Sequence, residues 1–238
     1  MIVKNVKRAR KRRITNISTH IRFMGVNSAG LRSKLPTFKK VLSDLKPSVF
    51  FVQETKFKTE GKLKLDNYVI FELIRRNKEG GGLALGCEKS LKPAWVREGD
   101  DDVEAISVDI LVEGVKIRCC AANGCQEGDL LERKRKFWKY LNEEVEYANN
   151  TKAGLIIQLD GNLLAGKSII PGEPRPKNRN GKLFEEFLKI NPQLSVANSL
   201  PLCEGLIIRK QVKNNVVEES ILDFLLYVPT FYHTSLKW

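Results

Sequence analysis

Carboxylates and amides recur at the ends of short apolar runs in this chain. Asn27 closes HIRFMGVN, Glu54 follows SVFFVQ, Asp160 and Asn162 follow LIIQL, and Asp223 lies three residues beyond Ser220 in SILDFLL. Neighbouring strand ends in a sheet can converge, and a set of carboxylate and amide oxygens is the hard donor set that suits Mg²⁺ or Mn²⁺. A divalent cation beside a carboxylate that activates water is what phosphodiester hydrolysis requires. Each residue taken singly also fits a plain turn, and Asp160-Gly161-Asn162 is good turn chemistry.

A second motif competes for attention. Gly161-Asn162-Leu163-Leu164-Ala165-Gly166-Lys167-Ser168 matches the phosphate-binding loop G-x-x-x-x-G-K-[ST] and follows an apolar run, so nucleoside triphosphate binding is a minor alternative. That loop works only if a helix starts at the Lys-Ser pair and turns its N–H groups toward the phosphates. Pro171, Pro174 and Pro176 follow directly and argue against such a helix. Asp160 would also place an anion at the mouth of an anion site.

The elements that must position these residues alternate between two periods. Strands are expected at 20–27, 48–53, 68–73, 83–87, 93–97, 104–112, 115–122, 155–159, 206–212 and 221–228. Leu35, Phe38, Val41, Leu42 and Leu45 predict a helix with Pro36 in its first turn, and Leu131, Trp138, Leu141, Val145 and Ala148 predict a second. Leu183, Phe184, Phe187 and Leu188 mark a third, ending at Asn191-Pro192, while residues 161–181 read as an irregular loop rich in Pro, Gly and Asn. The pattern predicts an α/β (α+β) fold, a sandwich of mixed sheets with helices outside.

Composition narrows the class. The chain has 238 residues, 42% of them hydrophobic and 29% charged, enough for one sizeable core and unlike a disordered or collagenous chain. No apolar run approaches the roughly 18 residues of a membrane span, and the charged start is unlike a signal peptide. Five cysteines, two histidines and no Cys-x-x-Cys pair leave a zinc ribbon without ligands and favour a reducing compartment. Cys87, Cys119, Cys120 and Cys203 are expected in the core, and Cys125, in a turn, at the surface.

The net charge of +13 is unevenly spread. Residues 1–43 hold twelve Lys or Arg and no acid, so the remainder carries only +1. Arg8, Arg10, Lys11, Arg12 and Arg13 form the densest part of a basic arm, placed at 1–18, ahead of a folded domain at 19–238. Such an arm can hold nucleic-acid phosphates without reading sequence, be read by an import receptor, or serve as a solvated tail. Nucleus or cytoplasm is the expected location; a mitochondrial presequence is the less favoured reading of the arm.

In order along the chain, Asn27-Ser28-Ala29-Gly30, Gln53-Glu54-Thr55, Gly80-Gly81-Gly82, Asp160-Gly161-Asn162 and Ser220-Ile221-Leu222-Asp223 resemble the motifs of the endonuclease/exonuclease/phosphatase superfamily. The resemblance spans residues 20–228. It is closest in look to the endonuclease domains of non-LTR retrotransposons, whose Y-G-P-Q-E run Gly124-Cys125-Gln126-Glu127 resembles. It implies a DNase I-like, four-layered sandwich and a Mg²⁺-dependent endonuclease-type hydrolase acting on nucleic acid, DNA first. By the same resemblance Glu54 would hold the metal with Asn27 beside it, Asp160 would orient and deprotonate the attacking water, and Asn162 would contact the phosphate. Asp223 would brace a histidine, with Ser220 supporting that loop.

Two positions depart from the family pattern. Asn123 stands where a phosphate-contacting tyrosine is usual, and the S-D-H histidine has no counterpart after Asp223; His20 and His233 lack its context. These departures predict a C-terminally truncated copy with hydrolysis weakened or lost, an unprotected sheet edge beside 221–228, and, as the alternative function, a nucleic-acid- or protein-binding module on the same fold.

Overall fold

A computed structural model describes residues 21–59, 61–75, 80–170, 173, 175–199, 209–213, 216–220 and 223–228. In chain order the elements are β1 (Phe23–Asn27), α1 (Leu35–Leu45), β2 (Val49–Gln53), β3 (Tyr68–Leu73), β4 (Leu83–Glu88), β5 (Ala94–Glu98), β6 (Glu104–Val112) and β7 (Val115–Asn123). There follow α2 (Leu131–Thr151), β8 (Gly154–Asp160), α3 (Arg179–Ile190), β9 (Ser195–Val196), β10 (Arg209–Lys213), β11 (Val216–Ser220) and β12 (Asp223–Val228). One sheet runs β1-β2-β4-β3 and the other β5-β6-β7-β8-β12-β9, with β10 and β11 paired as a separate hairpin.

Period-two alternation builds the layers. In β2, Val49 and Phe51 point toward the second sheet and meet Ile106, Val108, Cys119 and Ala121, while Phe50 and Val52 point outward to Phe38 and Leu42 of α1. In β7, Cys119 and Ala121 face the first sheet, whereas Cys120 and Ala122 pack with Phe137, Leu141 and Phe184 of α2 and α3. Central strands buried on both faces read as unbroken apolar runs for this reason. The result is helix, sheet, sheet, helix: a four-layered α/β sandwich of two mixed sheets.

Several sequence expectations need correction. Residues 161–181 are not irregular to their end, because α3 begins at Arg179, where the Asn178 side chain accepts the Gly181 N–H and caps the helix. The strand expected at 206–212 is β10, paired antiparallel with the unforeseen β11. The edge of β12 is not bare: β9 pairs with Leu226 and Tyr227 along it, too short a strand to leave a sequence signal. Cys125 is buried, not exposed, because its turn folds under α3, where Asn180 donates to the Cys125 carbonyl. Cys87, Cys119 and Cys120 are core residues, as expected. Residues 1–20, Cys203 and His233 lie outside the described residues.

Candidate active site

The strand register gathers the polar residues into one rung. Glu104 on β6 lies opposite Asn123 on β7, Asn123 opposite Asp160 on β8, and Asp160 opposite Asp223 on β12. Across the sandwich, Asn27 of β1 pairs with Gln53 of β2, and Glu54 is the next residue. Asn27 closes the gap between the sheets by donating its side-chain amide to Asp160 Oδ2 at 2.6 Å. Its own Oδ1 accepts the Ala29 N–H, which fixes the amide's orientation.

Glu54 sits at φ +55°, in the left-handed region. Eight non-glycine residues adopt positive φ among those described; three (Lys46, Lys92, Lys152) end helices, and Glu113 makes a hairpin turn with Gly114. The other four, Ala29, Glu54, Lys56 and Asn162, all lie in the loops at the cleft. Left-handed backbone costs roughly 1–2 kcal/mol for such residues, and its concentration here means that the surrounding hydrogen bonds impose it. Those bonds are visible: Gly30 N–H and the Ser28 hydroxyl both donate to the Glu54 carbonyl, at 2.7 and 2.9 Å. Gly81 N–H reaches Glu54 Oε2 at 3.2 Å, and Gly82 N–H donates to Glu104 Oε1. Gly81 and Gly82 can turn both amides toward carboxylates because each sits at positive φ without strain.

Asp160 is 5% exposed, and burial pushes its carboxyl up to about 6. The Asn162 N–H and the Asn27 amide pull it down, while the charges of Glu54 and Glu104 push it further up. Asn162 in turn donates its amide to the Gly124 carbonyl at 3.1 Å, and Asn180 of α3 donates to the Asn162 carbonyl. The loop after β8 is thereby tied to the loop after β7 and to a helix.

Glu104 was not foreseen from the sequence. It is mostly buried, accepts from Gly82 and from Asn123 Nδ2 at 2.7 Å, and lies 3.7 Å from Arg75. Burial raises its pKa against the Gly82, Arg75 and Asn123 contacts, and Glu54 adds to the rise. A signal existed: the two-residue Glu113-Gly114 turn sets the β6–β7 register, and that register places Glu104 opposite Asn123. Asn123 Oδ1 is buried with no hydrogen-bond partner.

The site thus joins Asn27, Glu54, Asn123, Asp160 and Asn162; Asp223 shares their rung by register, and Ser220 ends β11. Arg8, Arg10, Lys11, Arg12 and Arg13 lie outside the described residues. Lys167, Ser168 and Ile169 form a turn and no helix starts there, so the geometry of a triphosphate-binding loop is absent.

Donor chemistry fits a hard divalent cation. Glu54, Glu104 and Asp160 repel one another, as the upward pressure on Asp160 and Glu104 shows, and Asn123 offers an unused buried oxygen. Among the described residues no three His, Cys, Asp or Glu side chains form a ready-made cage. Mg²⁺, which keeps several of its waters and takes one or two carboxylates, needs none.

No protein-family model and no curated protein sequence matches the chain. Solved structures do. The endonuclease domain of TRAS1, a telomere-specific non-LTR retrotransposon, is 13% identical with a TM-score of 0.61, over 88% of this chain and 85% of that one. A 3′ phosphatase from Neisseria, bound to a product DNA hairpin, is 16% identical with a TM-score of 0.62, over 88% and 86% of the two chains. An AP endonuclease from Leishmania major is 16% identical with a TM-score of 0.65, over 88% and 79%. Layer order, sheet pairing and these likenesses agree: the chain has the DNase I-like fold of the endonuclease/exonuclease/phosphatase proteins.

Proposed function

We propose that the protein is a divalent-metal-dependent phosphodiester hydrolase of endonuclease type, of retroelement origin, acting on nucleic acid with DNA as first substrate. The observation that carries this is the Asp160 carboxyl, buried between two sheets and held by Asn27 and Asn162. A carboxylate in that setting keeps a raised affinity for a proton and a fixed direction, which suits it to orient and deprotonate water. Glu54, with Asn27 beside it and Asn123 across the rung, would hold Mg²⁺ or Mn²⁺; the cation, when bound, supplies charge neutralisation at the phosphate. Asn162 would hydrogen-bond the phosphate. Asp223, with Ser220 supporting its loop, would orient a proton donor to the leaving oxygen.

Hydrolysis is expected to be slow. Asn123 spends its amide on Glu104, where a tyrosine hydroxyl would contact phosphate, so that contact is lost. That same observation favours a second reading, a binding module that retains the fold without turnover. Plasmid nicking with Mg²⁺, with chelator, and with Glu54→Gln separates the two. Chelator-sensitive nicking that disappears in Glu54→Gln supports the hydrolase; absent nicking supports the module, and nicking that survives chelator or Glu54→Gln belongs to a contaminating nuclease.

A further inference from the structure

β1 ends the four-stranded sheet, with β2 on one side and, among the described residues, no strand on the other. Its sequence, FMGVN, carries none of the charges, prolines or bulges that usually blunt a sheet edge, and its register with β2 is unbroken. Apolar side chains leave both of its faces: Phe23 toward the second sheet, Met24 and Val26 toward α1, all three half-buried. That is the pattern of an interior strand. The ladder opens with Val49 N–H donating to the Arg22 carbonyl and closes with Ser28 N–H donating to Gln53. Alternate residues bond in a parallel pair, so Phe23, Gly25 and Asn27 turn their N–H and C=O groups to the open side. The facing sheet continues past this edge. β2 lies over β7, and β1 lies over β8, where Asn27 meets Asp160 and Gly25 leaves room for Gln158. β12 and β9 extend beyond, with Leu225 and Tyr227 on the inner face only half-buried.

We infer that the open edge of β1 docks an extended strand of a partner protein, apolar along its middle and acidic at its ends. Donors and acceptors on this edge repeat every second residue, the spacing of a β-strand backbone, which a polypeptide matches and a nucleic acid does not. Phe23, Leu225 and Tyr227 on one side of the edge, and Met24 and Val26 on the other, offer apolar surface to both faces of such a strand. Charge selects its ends. Arg22 and Lys46 stand at the Phe23 end, where Arg22 donates to the Leu45 carbonyl, and Lys34 stands at the Asn27 end, donating to the Ser28 carbonyl. All three cations are exposed, and residues 21–47 hold six Lys or Arg against the single acid Asp44. Main-chain hydrogen bonds give such docking its affinity, and the flanking charges choose the partner.

The full chain is titrated with a fluorescent peptide, Val-Thr-Val-Thr-Val between paired glutamates, and with a twin that carries lysines in their place. The glutamate peptide should bind about tenfold more tightly at low salt, and the difference should shrink as salt rises. Gly25→Pro removes an outward N–H and no ladder bond, and should weaken binding by about tenfold. Gly25→Ala, which sets the same Cβ against the Gln158 side chain, should bind like the parent. Amide exchange with the glutamate peptide bound needs no variant: Phe23 and Gly25 should slow, while Met24 and Val26, already in the ladder, should not. Equal binding of the twins, or protection without that alternation, would overturn the docking strand. So would Phe23 and Gly25 amides already protected in the free chain, at every concentration for a segment of this chain, or only at high concentration for a second copy. Binding that a single-stranded oligonucleotide displaces and that Gly25→Pro leaves unchanged would mark a nucleic-acid surface, and would overturn it too.

Discussion

Asp160 is held in its folded position at a cost in stability that its chemistry requires. Its carboxyl is shifted from 3.8 to about 6, so the folded chain holds a proton there across a window in which the unfolded chain has released it. The stabilisation from this group is fully present below about pH 4 and gone once the pH passes about 6. Above that, the buried charge faces Glu54 and Glu104 uncompensated unless a cation is bound. Asp160→Asn removes the charge and, with a single oxygen, keeps only one of the Asn27 and Asn162 hydrogen bonds, a loss common to all pH values. In chelator the variant should therefore be more stable than the parent at pH 8, by up to about 3 kcal/mol, and no more stable at pH 4. Urea unfolding at the two pH values reads the difference, and an equal effect at both would show that Asp160 is not charge-strained. Glu54 differs in kind: Glu54→Gln should remove the metal-dependent signal, because an amide lacks the formal charge that attracts a hard dication.

At the scale of elements, the loop after β8 depends on α3. Asn178 does two jobs with one oxygen, accepting the Gly181 N–H as the helix cap and the Leu164 N–H from the loop at 3.0 Å. Asn180, two residues on, holds the carbonyls of Asn162 and Cys125. Asn178→Ala should cost about 1–2 kcal/mol, the usual loss of a good N-cap, and should also release the 162–164 segment. Amide hydrogen exchange checks the second part: faster exchange at Leu164 with little change in β2 or β4. Uniform exchange across the chain would mean that the cap supports the helix only. The cap itself is readable in the sequence, an Asn followed by a helical apolar stripe. Its second partner is not, since the Leu164 N–H lies fourteen residues away and nothing in local spacing brings it there.

Across the whole molecule, charge is divided between a nearly neutral body and a basic start. Deleting residues 1–13 removes seven of the forty-one Lys and Arg residues. Non-specific affinity for duplex DNA should fall and the salt slope should flatten, by an amount set by how many of the seven meet phosphate, at about 0.9 each. Titration of the full and shortened chains at matched salt concentrations measures it. An unchanged slope would assign the arm to another role and leave nucleic-acid contact to the cleft.

What the sequence determined by itself was the set of elements and most of the chemistry. Buried strands such as VFFVQ and LIIQL, and the helical stripes of α1 and α2, are local patterns whose burial follows from their own periodicity. Asn27, Glu54, Asp160 and Asn162 were legible because each ends such a run. Tertiary structure decided the rest, because pairing register and sheet packing are non-local. It placed Glu104 beside Asn123 and Gly82, laid two-residue β9 along the edge of β12, and folded the Cys125 turn under α3. It also aimed Asn27 of one sheet at Asp160 of the other, a contact spanning 133 residues of chain that exists only once the two sheets have packed face to face.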